Sequence, residues 1–363
     1  MSVNNRRYDI DWLRVIAIWL LLIYHIAIGF QPWGLLIGFI QNDQSMPSLW
    51  VPMTMLNVWR IPLLFFVSGM GVFFALRKRS WKQLLIERTK RILVPFLFGM
   101  VAIVPIHVLL IMKYYEQPVS YVANAGHLWF LGNIFSYVLL LLPLFYFLKK
   151  HEDGMLSNGI KKIFGSPFGF LIAVALMVAE ALIVKPIPFE LYAQTLHGYV
   201  LGFLAFFLGF CFVYSGSYFW DKVLQWRWIF LAAGLGLYLY RYFESNMVAP
   251  NYLMAIESCI WVFSAFGFAY KHLNKPSKAL SYMSQAVYPV YIVHMAFLYG
   301  AYYLIFPLNL SVGLKLVLVI LLTAAGCFLC YELIKRINVL RPLFGLKIDT
   351  KLSHTTTEKA LRV

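Results

Sequence analysis

Long apolar runs recur along the whole 363-residue chain, and about 20 apolar residues are what an α-helix needs to cross a bilayer. In hydrocarbon every backbone N–H and C=O must be satisfied by protein, which leaves helices or a closed barrel. These runs lack the period-two alternation of barrel strands. Composition agrees: 61% of residues are hydrophobic and 13% charged, whereas a soluble domain carries about a quarter charged residues. The predicted fold is all-α, a polytopic integral membrane helical bundle. Ten spans are read, at roughly 10–30, 51–76, 92–112, 127–148, 167–186, 198–215, 227–243, 251–270, 285–306 and 312–334. One transmembrane domain, 1–338, is expected, followed by a short cytoplasmic tail, 339–363.

The net charge of +16 raises the question of a nucleic-acid partner. Its distribution answers it. About 25 of the 31 Lys and Arg fall in alternate segments, at 6–7, 77–91, 149–166, 215–227, 271–284 and 335–363. The intervening segments hold Lys113, Lys185, Arg241 and Lys315. That asymmetry is the positive-inside pattern; it places both termini in the cytoplasm and needs no nucleic acid. Within 77–91, Trp81, Leu84, Leu85 and Ile86 lie among the bases, a pattern expected of an interfacial helix. The four cysteines lie inside apolar runs and read as packed small hydrophobes.

Ionisable groups inside a span are costly and mark function by default. The first span, "DWLRVIAIWLLLIYH", carries Asp11, Arg14 and His25. Arg14 and His25 are eleven residues apart, three turns with about 20° left over, so they share a face. Arg14 also fits snorkelling to the headgroups, and Asp11 fits a helix N-terminal charge. His25 lies too deep for either role. His294, in "VYPVYIVHMAF", lies at similar depth. An inner group comprises Arg14, Arg88, Arg91 and Glu332; an outer group comprises Arg60, His127, Glu180 and Glu257. For the outer residues a structural ion pair such as Arg60–Glu257 is the expected role. No metal-ligand pattern is evident.

Four motifs occur in order: R-x10-H (Arg14, His25), "FFVSGM" (Phe65–Met70), R-x-x-R (Arg88, Arg91) and "YIVHM" around His294. Together they resemble the acyltransferase family 3 membrane proteins. "GHLWFL" and "YELIKRINVLRPLFGLK" resemble the branch containing the periplasmic glucan succinyltransferase. Two positions depart from the family pattern: D-G-L-R-G reads Asp11-Trp12-Leu13-Arg14-Val15, and S-G-F reads Ser68-Gly69-Met70. The resemblance implies an O-acyltransferase of a bacterial cytoplasmic membrane. Such an enzyme takes an acyl group, acetyl or succinyl, from cytoplasmic acyl-CoA, a co-substrate rather than a resident cofactor. It delivers the group to an extracytoplasmic carbohydrate hydroxyl. His25 is then the catalytic group, and Arg14, Arg88 and Arg91 handle the donor. Asp11, Arg60, His127, Glu257, His294 and Glu332 are candidates for acceptor binding or support.

The residues themselves suit this chemistry. Guanidinium pairs bidentately with phosphate. A neutral imidazole can take a proton from an attacking hydroxyl, or can itself accept the acyl group. Trp33, Trp50, Trp59 and Trp129 are candidate sugar platforms or members of an interfacial belt. The competing reading is a transporter or flippase of a sugar- or lipid-linked substrate, because ionisable residues in spans also mark transport paths.

Overall fold

The computed structural model describes residues 6–244 and 247–349, and every regular element among them is helical. The helices are α1 (Tyr8–Ile28), α2 (Trp50–Arg77), α3 (Trp81–Tyr114), α4 (Trp129–Lys150), α5 (Met155–Phe164), α6 (Phe168–Val184), α7 (Leu196–Tyr214), α8 (Tyr218–Glu244), α9 (Asn251–His272), α10 (Lys278–Ile305), α11 (Val312–Arg336) and the single turn α12 (Leu340–Leu343). Among the described residues eight helical segments are long and apolar enough to cross a membrane, and nine if α5 and α6, bent by 91°, form one span. The protein is a multi-pass membrane protein. The expected seventh span corresponds to α8, whose Trp, Tyr and Arg residues dilute its apolarity.

The basic segment 77–91 differs from expectation. Trp81–Arg88 is no separate interfacial helix but the opening of the 34-residue α3. Two π-helical turns interrupt α3, at Thr89–Leu93 and Gly99–Ile103. Each lies just before a proline, Pro95 or Pro105, which has no N–H to return to the preceding turn. The carbonyl that Pro105 leaves without its usual donor, Val101 O, accepts from the Tyr121 hydroxyl at 2.8 Å. In α2, Pro62 likewise leaves Val58 O, which accepts from Tyr192 at 2.9 Å. In hydrocarbon a backbone acceptor must find a partner within the protein.

The chain divides into two compact units. The first contains 1–21, 52–85 and 133–284; the second contains 22–51, 86–132 and 285–363, with 350–363 of the expected tail lying outside the described residues. In the first unit α2 and α7 cross at backbone distance. A Cβ on Gly69 would lie 1.9 Å from Phe206 O, and one on Gly209 would lie 2.0 Å from Phe66 O. This reciprocal pair explains why the "SGM" motif needs its glycine: small residues let membrane helices approach closely. An aromatic cluster of Phe66, Phe212, Phe219, Phe263 and Phe266 fills the interior beside the crossing.

Two cations assigned to outer connecting segments by charge counting are buried in helices instead. Arg241, fully buried in α8, donates to both carboxylate oxygens of Glu257 at 3.0 and 3.1 Å and to Thr54 O at 3.0 Å. Glu257 therefore pairs with Arg241 rather than forming the expected pair with Arg60. Arg60, itself buried, donates to Asn57 Oδ1 of its own helix. In the second unit Lys315 of α11 reaches Asn42 Oδ1 at 3.1 Å and Phe306 O at 2.6 Å.

The second unit packs Phe30, Phe39, Tyr299, Tyr302 and Phe306 around the end of α1. The last carbonyls of a helix lack intrahelical donors. Tyr302 serves them here, its hydroxyl lying 3.0 Å from His25 O and 2.9 Å from Ile26 O while it accepts from Gly29 N. Gly29 is required because a Cβ there would lie 2.4 Å from the Tyr302 ring.

Candidate active site

His25 is half-buried near the C-terminal end of α1, in the second unit. Its Nδ1 lies 3.0 Å from Nε2 of His294, which is fully buried in α10. The two rings are nearly parallel, at 9°. His294 Nδ1 lies 2.6 Å from the backbone carbonyl of Tyr291, one turn earlier in the same helix.

These distances fix the tautomers of a neutral pair. A carbonyl can only accept, so Nδ1 of His294 carries a proton and donates to Tyr291 O. Nε2 of a neutral His294 is then an acceptor. His25 donates to it from Nδ1, which leaves Nε2 as the basic nitrogen of His25. The chain carbonyl–imidazole–imidazole orients the His25 ring and sets which of its nitrogens can do chemistry.

Two further histidines complete a cluster in this unit. His127 Nε2 donates to Ile292 O at 3.0 Å, and its ring stands edge-on to His294 at 4.9 Å. His107, on α3, lies 5.6 Å from the His127 ring and 5.1 Å from that of Tyr299. Gly126, with φ of +45°, supplies the left-handed backbone that delivers His127 to this position. The Tyr291 hydroxyl donates to His127 O, tying α10 to the start of α4. Among the described residues no three His, Cys, Asp or Glu side chains converge as ligands for a metal ion.

Aromatic rings extend from His25. Tyr24 lies 5.8 Å from His25, Trp50 lies 5.2 Å from Tyr24, and Trp33 stands edge-on to Trp50 at 4.4 Å. Trp59 belongs to the other unit, where it stacks on Trp261.

The remaining candidates are distributed as follows. Arg14 and Asp11 belong to the first unit, and Arg88 and Arg91 to the second. Asp11 accepts from Arg6 at 2.9 Å and lies 3.7 Å from Arg14. The Arg14 guanidinium lies against Gly71 of α2, where a Cβ would stand 3.2 Å from Nη2. Arg88 ends the first stretch of α3 and Arg91 lies in its first π turn. Arg91 donates to Glu87 at 3.2 Å and to Gly345 O at 3.4 Å. Gly345, at φ +72°, can abut Tyr288 because it has no Cβ, which accounts for the glycine in the closing "LFGLK". Glu332 pairs with Lys335 on α11. Glu180 bonds His197 at 2.8 Å, both buried. His107 and the Tyr291 carbonyl were missed in sequence. His107 had a usable signal, an ionisable side chain inside the apolar run "VPIHVLL".

A family model described as an acyltransferase domain, Acyl_transf_3, matches residues 7–332. No curated protein and no solved structure matches the chain.

Proposed function

This chain belongs to the Acyl_transf_3 family and is a membrane acyltransferase; on that premise we propose that it transfers an acyl group from acyl-CoA to a hydroxyl of an extracytoplasmic carbohydrate, with His25 as general base. The observation that supports this reading is the bonded chain from Tyr291 O through His294 to His25, which occupies Nδ1 of His25 and leaves Nε2 as its basic nitrogen. Nε2 takes the proton of the acceptor hydroxyl as its oxygen attacks the thioester carbonyl. The imidazolium so formed keeps its Nδ1–H on His294, a bond that strengthens as charge develops. The tetrahedral adduct collapses, the C=O re-forms as the C–S bond breaks, and His25 returns the proton to the leaving thiolate. The products are an ester and a free thiol. In a covalent variant of the route, the same nitrogen would be the nucleophile.

Tyr24, Trp50 and Trp33 supply ring faces beside His25 for a sugar acceptor, whose C–H faces stack on aromatic rings. Arg14, Arg88 and Arg91 are assigned to the donor phosphates on the charge argument. Acetyl and succinyl groups both fit this scheme, as does a bacterial cytoplasmic-membrane location. The test is chemical. Purified protein in nanodiscs, given acyl-CoA and candidate glycans, is expected to release thiol only when an acceptor is present. Movement of a glycan across the bilayer without thiol release would instead establish the transporter or flippase reading.

A further inference from the structure

A groove of about 360 Å³ lies in the first unit, between the opening of α3 and the second half of α4. Trp81 and Leu85 of α3 and Leu139, Leu142, Pro143 and Tyr146 of α4 line it. The acyl-transfer step above uses none of them. Both helices belong to segments long and apolar enough to cross a membrane, and Trp81 and Leu139 are 40% and 48% exposed. Apolar residues exposed on such helices face hydrocarbon, so the groove opens toward lipid.

Its depth matches one leaflet. α4 ends at Lys150, in a segment that the Lys and Arg asymmetry assigns to the cytoplasmic side. Along the helix Tyr146 lies about 6 Å and Leu139 about 16 Å from that end. The hydrocarbon core is about 30 Å thick, so the groove runs from the inner headgroups to about the bilayer midplane.

Cations gather at its cytoplasmic end. Lys82 Nζ lies 5.4 Å over the ring of Trp81, which forms the groove wall. Lys78 is exposed in the turn before α3, and Lys150 is exposed at the end of α4. Lys149 is committed to the fold: it donates to Leu76 O and Arg79 O at 2.7 and 3.0 Å, tying α4 to that turn. On α3, Glu87 is occupied by Arg91.

We propose that this groove binds an anionic phospholipid of the inner leaflet, with one acyl chain along Leu85, Leu139, Leu142 and Pro143 and the phosphate at Lys82. A tail gains no hydrophobic free energy by leaving the bilayer for the groove, because lipid tails are as apolar as leucine. The choice among lipids therefore falls to the headgroup, and clustered Lys at a cytoplasmic membrane surface selects an anionic one. A soluble anion would account for the lysines but not for the apolar channel that continues from them into the leaflet.

The test uses the full chain, purified in detergent and stripped of lipid, then titrated with phosphatidylglycerol or phosphatidylcholine of identical chains. Tm and native mass spectrometry of retained lipid are the readouts. Phosphatidylglycerol is expected to be retained and to raise Tm more than phosphatidylcholine, as a ligand of the native state must. Lys82→Gln, at an exposed side chain, should weaken phosphatidylglycerol binding by about fivefold, the equivalent of about 1 kcal/mol for one cation, and leave phosphatidylcholine unaffected. Leu139→Trp fills the groove from its lipid-facing side and should remove the retained lipid, with Tm in lipid-free detergent near wild type. Equal Tm shifts by the two lipids in wild type would overturn the proposal. So would unchanged phosphatidylglycerol binding in the Lys82→Gln, Leu139→Trp double variant, which would put the lipid elsewhere. A wild-type dimer that retains no lipid and that Leu139→Trp dissociates would make the groove a contact between copies of the chain, and would overturn it too.

Discussion

Replacing His294 with alanine removes the acceptor of the His25 Nδ1–H while leaving His25 in place. The bond lost is 3.0 Å long and its acceptor ring is fully buried, so water does not readily substitute for it. In the transition state the His25 ring is charged, and a hydrogen bond to a charged group is worth about 1.5–3 kcal/mol. At 1.36 kcal/mol per tenfold, kcat should fall by roughly 10- to 150-fold. His294→Gln offers a test of cause. Its amide oxygen can stand where Nε2 stands and accept from His25, so most of the loss should be restored, whereas a role in packing alone would not follow that order. The assay is the initial rate of acceptor-dependent thiol release at saturating acyl-CoA, with KM for the donor determined for each variant. The loss is expected in kcat with donor KM held, because His294 touches His25 and is not assigned to the donor. A His294→Ala protein within twofold of wild type, or one equal to a folded His294→Gln protein, would refute the positioning argument.

Three further outcomes concern the fold. Glu257→Gln leaves Arg241 buried with its charge uncompensated and should cost about 3–5 kcal/mol, read as a lowered Tm in detergent. Gly69→Ala sets a methyl 1.9 Å from a backbone oxygen that no rotamer can move. It should cost about 1–3 kcal/mol, whereas Gly236→Ala, with open space at its Cβ, should not destabilise. Burial pushes the Glu190 carboxyl above its ordinary range; the nearby Glu257 adds to this, while the residue's own backbone hydrogen bond, Arg241 and His197 oppose it. A carboxyl whose pKa is raised on folding stabilises the native state below its unfolded value and loses that contribution as pH rises through the folded one. Tm should therefore decline with rising pH across that window in wild type, and more shallowly in Glu190→Gln; equal slopes would contradict the assignment.

The fold class was legible because hydrocarbon permits few backbone solutions, and long apolar runs report that constraint directly. His25 and His294 stood out for a related reason, being ionisable where ionisable groups are expensive. Their pairing was not legible, because sequence does not tell which helices become neighbours or which carbonyl fixes a tautomer. Arg241 was misplaced because charge counting treats a cation near a span end as solvated, whereas Glu257 and Thr54 O hold it fully buried. The segment 77–91 was expected to form an interfacial helix, and a helix does start there. What was not legible is its continuity: helix propensity in "WKQLLIER" carries it straight into the long α3. The glycines of "SGM" and "LFGLK" became intelligible only once Phe206 O and Tyr288 were seen against them.

The central claim is that Nε2 of His25 performs the proton transfer, and His25→Ala tests it most directly. Thiol release and acylated glycan are measured by mass spectrometry for the wild-type and variant proteins, at matched amounts of monodisperse protein in nanodiscs. The account predicts that acceptor-dependent transfer disappears in His25→Ala while membrane insertion and Tm stay near wild type. A well-folded His25→Ala protein that still acylates its acceptor at the wild-type rate would contradict it.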